Sequence, residues 1–149
     1  MIKGTVIRPL KRIVDERGYL METLRTDWPD VFKGFTMSYV SMTYPGVIRA
    51  WHRHPRTKQR DTFAIPVGMA KVVVYDSETK EVNEHIIGED NPILLSFDGD
   101  KWHGFKCIGT KPCLLINFPD KLYDYSNPDE ARMPHDSREI PYNWDIVMK

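Results

Sequence analysis

Two histidines, His52 and His54, stand two positions apart in a stretch crowded with polar side chains. Residues 46–68 read GVIRAWHRHPRTKQRDTFAIPVG and also contain four arginines, one lysine and the acidic Asp61 between two β-like runs. Side chains at i and i+2 share one face of a strand, so both imidazoles would point to the same side. His103 follows a later turn and could meet them across a barrel. Because polar groups are costly to bury without partners, this density indicates a chemical site.

A metal site is one use for these residues. Neutral imidazoles from His52, His54 and His103, together with the carboxylate of Asp61, would suit Fe, Mn, Zn or Ni. The spacing is close to the first metal motif of cupin proteins, but the glutamate of that motif is missing from its usual place. The arginines and the lysine of the same stretch would repel a cation. This hypothesis describes a metal-dependent cupin enzyme.

Metal-free proton transfer is the other use. A histidine such as His52, oriented by a carboxylate, is a good base near neutral pH. Arg17 and Arg49 would hold an anionic substrate, since guanidinium groups bind phosphate in a bidentate manner. A tyrosine or a bound water on the opposite side of the substrate would complete the scheme as the acid.

Short β-like runs separated by turn signals cover most of the chain up to Phe118. About ten such runs at fairly even spacing predict an all-β fold, either a cupin-type jelly roll or a double-stranded β-barrel. The sequence after Phe118 is rich in Pro, Asp and aromatic residues. We expect it to form a short irregular, partly helical tail, with a helical turn near residues 128–132. Residues 1–149 are expected to form a single domain.

The composition limits the kinds of partner and the cellular location that are expected for the protein. With 21 basic and 21 acidic residues the formal net charge is zero, so no overall attraction to nucleic acid or to a membrane is expected. The N-terminus lacks the apolar core of a signal peptide, and no run approaches the ~20 apolar residues that span a bilayer. Cys107 and Cys113 are expected to be small buried thiols rather than a disulfide. We therefore expect a cytoplasmic protein.

Three separated motifs occur in the order found in one enzyme family. Residues 15–22 read DERGYLME, residues 41–52 read SMTYPGVIRAWH, and residues 102–105 read WHGF. They are similar to the D-x-R-G-x-F-x-E, S-x-S-x-x-G-V-L-R-G-L-H and A-H-G-F motifs of the dTDP-4-dehydrorhamnose 3,5-epimerase family. The chain resembles that family from about residue 15 to residue 144, as a short and divergent member.

The resemblance implies a metal-free cupin without a cofactor, which inverts carbons next to the 4-keto group of nucleotide-linked 6-deoxyhexoses through an enolate. His52 would be the base, and Asp136 would accept a hydrogen bond from it and fix its tautomer. It also implies a homodimer, a form that exposed edge strands would favour. The residues expected to contact the substrate are Arg17, Glu22, Arg49, Gln59 and His103.

This sequence also departs from the family pattern. Asp61 stands where the family has a lysine, and the family's catalytic tyrosine falls near Asn117 or Phe118. Tyr39, at a position where the family usually has Asn, is the candidate for a displaced acid. The prediction is therefore a nucleotide-sugar epimerase or isomerase, with single epimerisation or keto-isomerisation open. The alternatives are the metal-dependent enzyme and a sugar-nucleotide-binding cupin that has lost its acid.

Overall fold

A computed structural model describes residues 1–146 and shows an all-β fold. The strands are β1 (Val6–Pro9), β2 (Arg12–Asp15), β3 (Gly18–Met21), β4 (Tyr39–Thr43), β5 (Ile48–Arg53), β6 (Arg60–Val67), β7 (Met69–Asp76), β8 (Glu81–Gly88), β9 (Ile93–Asp98), β10 (Trp102–Ile108), β11 (Cys113–Asn117) and β12 (Ala131–Arg132). No helix in residues 1–146 has the length and apolar character needed to cross a membrane.

The strands form two five-stranded sheets and one separate hairpin. The first sheet has the order β1-β9-β6-β11-β4, and the second has the order β12-β5-β10-β7-β8. All of the pairings are antiparallel, and β2 pairs with β3 alone. Non-consecutive strands lie side by side in both sheets, as in a jelly roll. The predicted fold class is confirmed.

The side chains of β7 show how alternation divides the apolar core. Val72 and Val74 are buried in the main cluster with Phe97 and Leu115, between the two sheets. Val73 points the other way and is buried in a second cluster with Trp51, Trp102, Ile140 and Trp144. The last two of these residues belong to the C-terminal tail, so β7 is covered on both faces. This explains its continuous run of apolar residues.

The tail wraps the second sheet, but the prediction that it is partly helical is wrong. At the predicted helical turn, Ala131 and Arg132 form β12, which pairs with β5. The backbones of Trp51 and Met133 exchange hydrogen bonds of 2.8 and 3.0 Å. Backbone N–H and C=O groups on the open edge of β5 need hydrogen-bond partners, and the tail supplies them. The prolines on either side of the segment also disfavour a helix.

Candidate active site

A cavity of about 440 Å³ opens between the two sheets. Its polar lining comes from Tyr39 and Ser41 on β4, from Arg49 and His52 on β5, and from Glu130 and Arg132 of the tail. β4 and β5 belong to different sheets, so Tyr39 and His52 stand on opposite walls. The cavity is large enough for a sugar together with part of a nucleotide to which it is linked.

The imidazole of His52 is kept neutral by its surroundings. Its strand β5 pairs with β10, and the ring of His52 lies 4.2 Å from the ring of His103, centroid to centroid. Burial, reinforced by His103, His54 and Arg132, lowers the pKa of His52 well below its usual 6.5. At neutral pH the imidazole is therefore unprotonated and able to accept a proton.

Two guanidinium groups flank the cavity. Arg49 is fixed by a 2.9 Å hydrogen bond that its Nε donates to the hydroxyl of the buried Thr43. Arg132 donates a 2.9 Å hydrogen bond to the carboxylate of Glu130; the side chain of Glu130 is 19% exposed, and that of Arg132 is 76% exposed. Cationic donors at a cavity can stabilise an oxyanion or bind a phosphate.

Tyr39 is the hydroxyl group opposite His52. The side-chain amide of Asn117 donates a 3.0 Å hydrogen bond to the phenol oxygen of Tyr39. The phenol hydrogen is therefore directed elsewhere and is available to the cavity. Burial raises the pKa of Tyr39; the hydrogen bond from Asn117 opposes the shift, and the charge of Asp61 adds to it. Tyr39 is therefore protonated at neutral pH, as an acid must be.

A second polar group lies behind His52 and does not line the cavity. Asp61 is 1% exposed, and one carboxylate oxygen accepts hydrogen bonds of 2.7 Å from Gln59 and 2.6 Å from Asn117. Its other oxygen faces the Nε2 atoms of His54 and His103, at 3.6 and 3.4 Å. Gln59 and His103, expected to contact substrate, are placed in this group.

The structure places three other predicted site residues away from the cavity. Asp136 is exposed and lines a separate cavity of about 320 Å³ beside Trp144. Arg17 is paired with Asp15 in the exposed β2–β3 turn, and Glu22 is paired with Arg25. Within the described part of the chain, none of the three contacts the cavity around His52.

Glu130 and Arg132 are the cavity residues that sequence reasoning missed. They flank Ala131, so an extended segment here presents both side chains to the same side. This alternation is the one available signal, and it is hidden as long as the segment is predicted to be helical.

Several known proteins are similar to the chain over nearly its whole length, and three of them are described below; no protein-family model matches it. It is 49% identical over 148 residues to the probable low-salt glycan biosynthesis epimerase Agl13 of Haloferax volcanii, covering 96% of this chain and 94% of that one. It is 38% identical over 154 residues to the spore coat polysaccharide biosynthesis protein SpsL of Bacillus subtilis, covering 100% of both. A dTDP sugar isomerase from Desulfovibrio desulfuricans superposes with a TM-score of 0.86 at 32% identity, covering 95% of this chain and 91% of that structure.

Proposed function

Because this chain belongs to the dTDP-4-dehydrorhamnose 3,5-epimerase family, we propose that it inverts or isomerises a carbon next to the keto group of a nucleotide-linked 4-keto-6-deoxyhexose. The class of enzyme is that of the carbohydrate epimerases and isomerases, as the motifs predicted. One observation carries the proposal: a neutral imidazole and a protonated phenol face each other across one cavity.

The reaction begins with proton removal by His52. The hydrogen on the carbon next to a ketone is acidic because the resulting carbanion is delocalised as an enolate. Arg49 and Arg132 line the same cavity and supply the positive charge that stabilises the enolate oxygen. Burial keeps His52 neutral and ready to accept the proton.

Tyr39 completes the reaction from the opposite wall. A proton delivered by its phenol to the other face of the enolate inverts the carbon. Delivery to the former carbonyl carbon instead, with transfer of the proton of the adjacent hydroxyl to the enolate oxygen, moves the keto group. The isomerase named among the relatives makes the second outcome a specific candidate.

Two residues are candidates for the carboxylate that supports His52. Asp136, expected from the motifs, stays a prediction, although it lines a different cavity from His52. Glu130 lines the cavity itself and also anchors Arg132.

We further propose a homodimer. The β2–β3 hairpin exposes Ile13, Val14 and Leu20, with 56%, 72% and 60% of their surface accessible. β4 is an edge strand of its sheet and exposes Val40 and Met42. Apolar side chains on a hairpin and beside an open edge suit pairing with a second copy. Such a copy could bring Arg17 and Glu22 to a cavity that they do not reach in their own chain.

A cytoplasmic location is also proposed, since Cys107 and Cys113 are free thiols.

The test is hydrogen exchange in deuterium oxide. Incubation with dTDP-4-keto-6-deoxyglucose should place deuterium at C3, at C5 or at both, and NMR of the product should show inversion or keto-group migration. His52→Asn should lower the exchange rate by about 10²–10⁴-fold, and His135→Asn, at an exposed histidine, should leave it unchanged. Tight binding of several such sugars with no exchange would instead identify a binding protein.

A further inference from the structure

The three ring and carboxylate atoms behind His52 converge on one point. His54 Nε2 and His103 Nε2 lie 3.6 and 3.4 Å from the same Asp61 oxygen, Oδ2. One ligand atom from each of the three side chains lies within 4.8 Å of the other two. The residues are 9%, 0% and 1% exposed in the order His54, His103, Asp61. The group is therefore formed inside the protein and not by chance contact at its surface.

The hydrogen bonds made by Nδ1 of His54 and of His103 leave each ring with a lone pair on Nε2, facing Asp61. His54 Nδ1 lies 2.6 Å from the carbonyl oxygen of Asp129, and His103 Nδ1 lies 2.9 Å from that of Lys101. A carbonyl oxygen can only accept, so both Nδ1 atoms carry the hydrogen, and in a neutral ring Nε2 is then unprotonated. Two lone pairs and a carboxylate oxygen thus face one another.

Two of these converging atoms have no hydrogen-bond partner. Asp61 Oδ2 and His103 Nε2 are buried and unpaired, within the part of the chain that the structure describes. Electron-pair donors repel one another in a low-dielectric interior, and an unpaired buried acceptor is costly. A cation bound between the three atoms removes both costs.

We propose that His54, Asp61 and His103 bind one divalent transition-metal ion. Two imidazoles and one carboxylate are a donor set that Zn²⁺ and Fe²⁺ accept. With metal–ligand bonds of about 2.1 Å, a tetrahedral site separates its ligand atoms by about 3.4 Å. The measured separations of 3.4 and 3.6 Å from Asp61 match that spacing.

The surroundings of the three ligands fit a metal site. Histidine ligands usually donate their second ring N–H to a carbonyl or carboxylate, as both rings do here. The Asp61 oxygen that faces away from the site is held by Gln59 and Asn117. A side chain on Gly99 would come within 2.8 Å of Asp61 Oδ2, so the glycine leaves the required space.

Two of the basic residues nearby are paired with other groups. Arg60 is turned towards Asp98 and the Ser96 hydroxyl, at 2.6 and 2.8 Å. Arg56 contacts Asp129, with Nε 3.5 Å from its carboxylate, and donates to backbone carbonyls of the tail. The positive charges of Arg60 and Arg56 are therefore directed away from the three ligand atoms.

The proposed ion differs from both expectations drawn from the sequence. It uses three ligands and leaves out His52, which faces the cavity, and it adds a metal to a family expected to be metal-free. The ion would have a structural role, because its ligand His103 packs against His52, with the centroids of the two rings 4.2 Å apart. The ion would hold fixed the wall on which the base stands.

The experiment measures metal binding directly and needs no sugar substrate. Untagged full-length protein is stripped with a chelator and titrated with Zn²⁺ against a chromophoric competitor, and separately with Co²⁺ for its visible spectrum. We expect one ion per chain, the intense bands of a tetrahedral Co²⁺ site, and a rise in Tm on loading. Absence of a saturable site in this wild-type titration would overturn the proposal, whatever the variants do.

Variants then assign the ligands. Asp61→Asn and His103→Gln should lower the affinity by more than the roughly 10–100-fold that loss of an outer hydrogen bond costs, and Gln59→Ala should fall within that range. His135→Ala is the matched control at an exposed histidine and should bind as the wild type does. His52→Asn should also keep the metal while losing hydrogen exchange, which separates this proposal from the proposed enzymatic function. Unchanged affinity in folded Asp61→Asn would refute the assignment.

Discussion

Tyr39 and Asn117 are direct partners in the β4–β11 ladder, and the Asn117 amide donates a 3.0 Å hydrogen bond to the Tyr39 phenol. The family motifs put the catalytic tyrosine near Asn117 or Phe118, and they put asparagine at the position of Tyr39. With that tyrosine assigned to Asn117, the two residue types would be exchanged between facing positions of adjacent strands. Because cross-strand partners lie about 5 Å apart, such an exchange would bring a phenol to the same end of the cavity from the neighbouring strand.

Replacing Tyr39 by Phe should separate proton exchange from inversion. The phenol is the proposed acid on the wall opposite His52, so its loss leaves the base able to remove and return a proton on one face. We expect deuterium at the carbon next to the ketone, with inversion or isomerisation slowed by about 10²–10⁴-fold. NMR of the recovered sugar measures both. Tyr125→Phe, at a residue that is 89% exposed, is the control; unaltered turnover in Tyr39→Phe would remove Tyr39 from the mechanism.

The pH dependence of turnover should extend far into the alkaline range. The acid must be protonated, and burial raises the pKa of Tyr39 above its usual value of 10.0. Activity that depends on the phenol is therefore present below pH 10 and is lost only as the pH rises through the raised pKa. The measurement is kcat against pH up to the limit of protein stability. A decline centred below the ordinary pKa of a tyrosine would show that a different group is the acid.

The fold and the part of the site formed by β5 could be predicted from the sequence. Strand patterns and three motifs indicated the jelly roll, and the motifs placed His52 and Arg49 in a cavity where the structure also has them. The two positions are three apart on β5, so simple alternation would put them on opposite faces. They share the cavity because the β5–β10 ladder shifts register between them, which no local sequence pattern indicates.

The rest of the site depends on long-range partners that no local pattern records. The Asp61 carboxylate is held by Asn117, 56 positions away. The segment with Glu130 and Arg132 is a strand because β5 had an open edge, and its own composition did not indicate this. Asp136 was matched by order in the sequence, but the tail turns it to the far side of β5.

The carboxylate that supports His52 can be identified with a matched pair of variants. We expect Glu130→Gln to lower kcat by roughly 10–100-fold, because Glu130 lines the cavity with His52 and its loss also frees Arg132. Asp136→Asn should change kcat by less than about twofold, since no hydrogen bond or ion pair of Asp136 occurs within residues 1–146. Both substitutions preserve size and remove one charge. The opposite ranking would restore Asp136 as the partner implied by the family motifs.

Asp129 should stabilise the tail and, through it, the position of His54. Its carboxylate accepts hydrogen bonds from the backbone N–H groups of Arg56 and Thr57 and from the Thr57 hydroxyl, the shortest at 2.7 Å. Its backbone carbonyl accepts the hydrogen bond from His54 Nδ1. We expect Asp129→Ala to lower the free energy of unfolding by about 1–3 kcal/mol, because the N–H groups of Arg56 and Thr57 and the Thr57 hydroxyl lose a charged acceptor.

Urea unfolding at pH 7 measures that loss, with Asp124→Ala as the control, since Asp124 makes hydrogen bonds only to neighbouring residues in the tail. The pH dependence gives a second readout for Asp129. Burial opposes its ionisation, but the hydrogen bonds from Thr57 and Arg56 outweigh burial and hold the pKa of Asp129 below 3.8. Its contribution is therefore complete above pH 3.8 and is lost as the pH falls through the lowered pKa. The stability difference between wild type and Asp129→Ala should narrow in that acidic range; a difference that stays constant there would mean that the carboxylate charge is not what holds the tail.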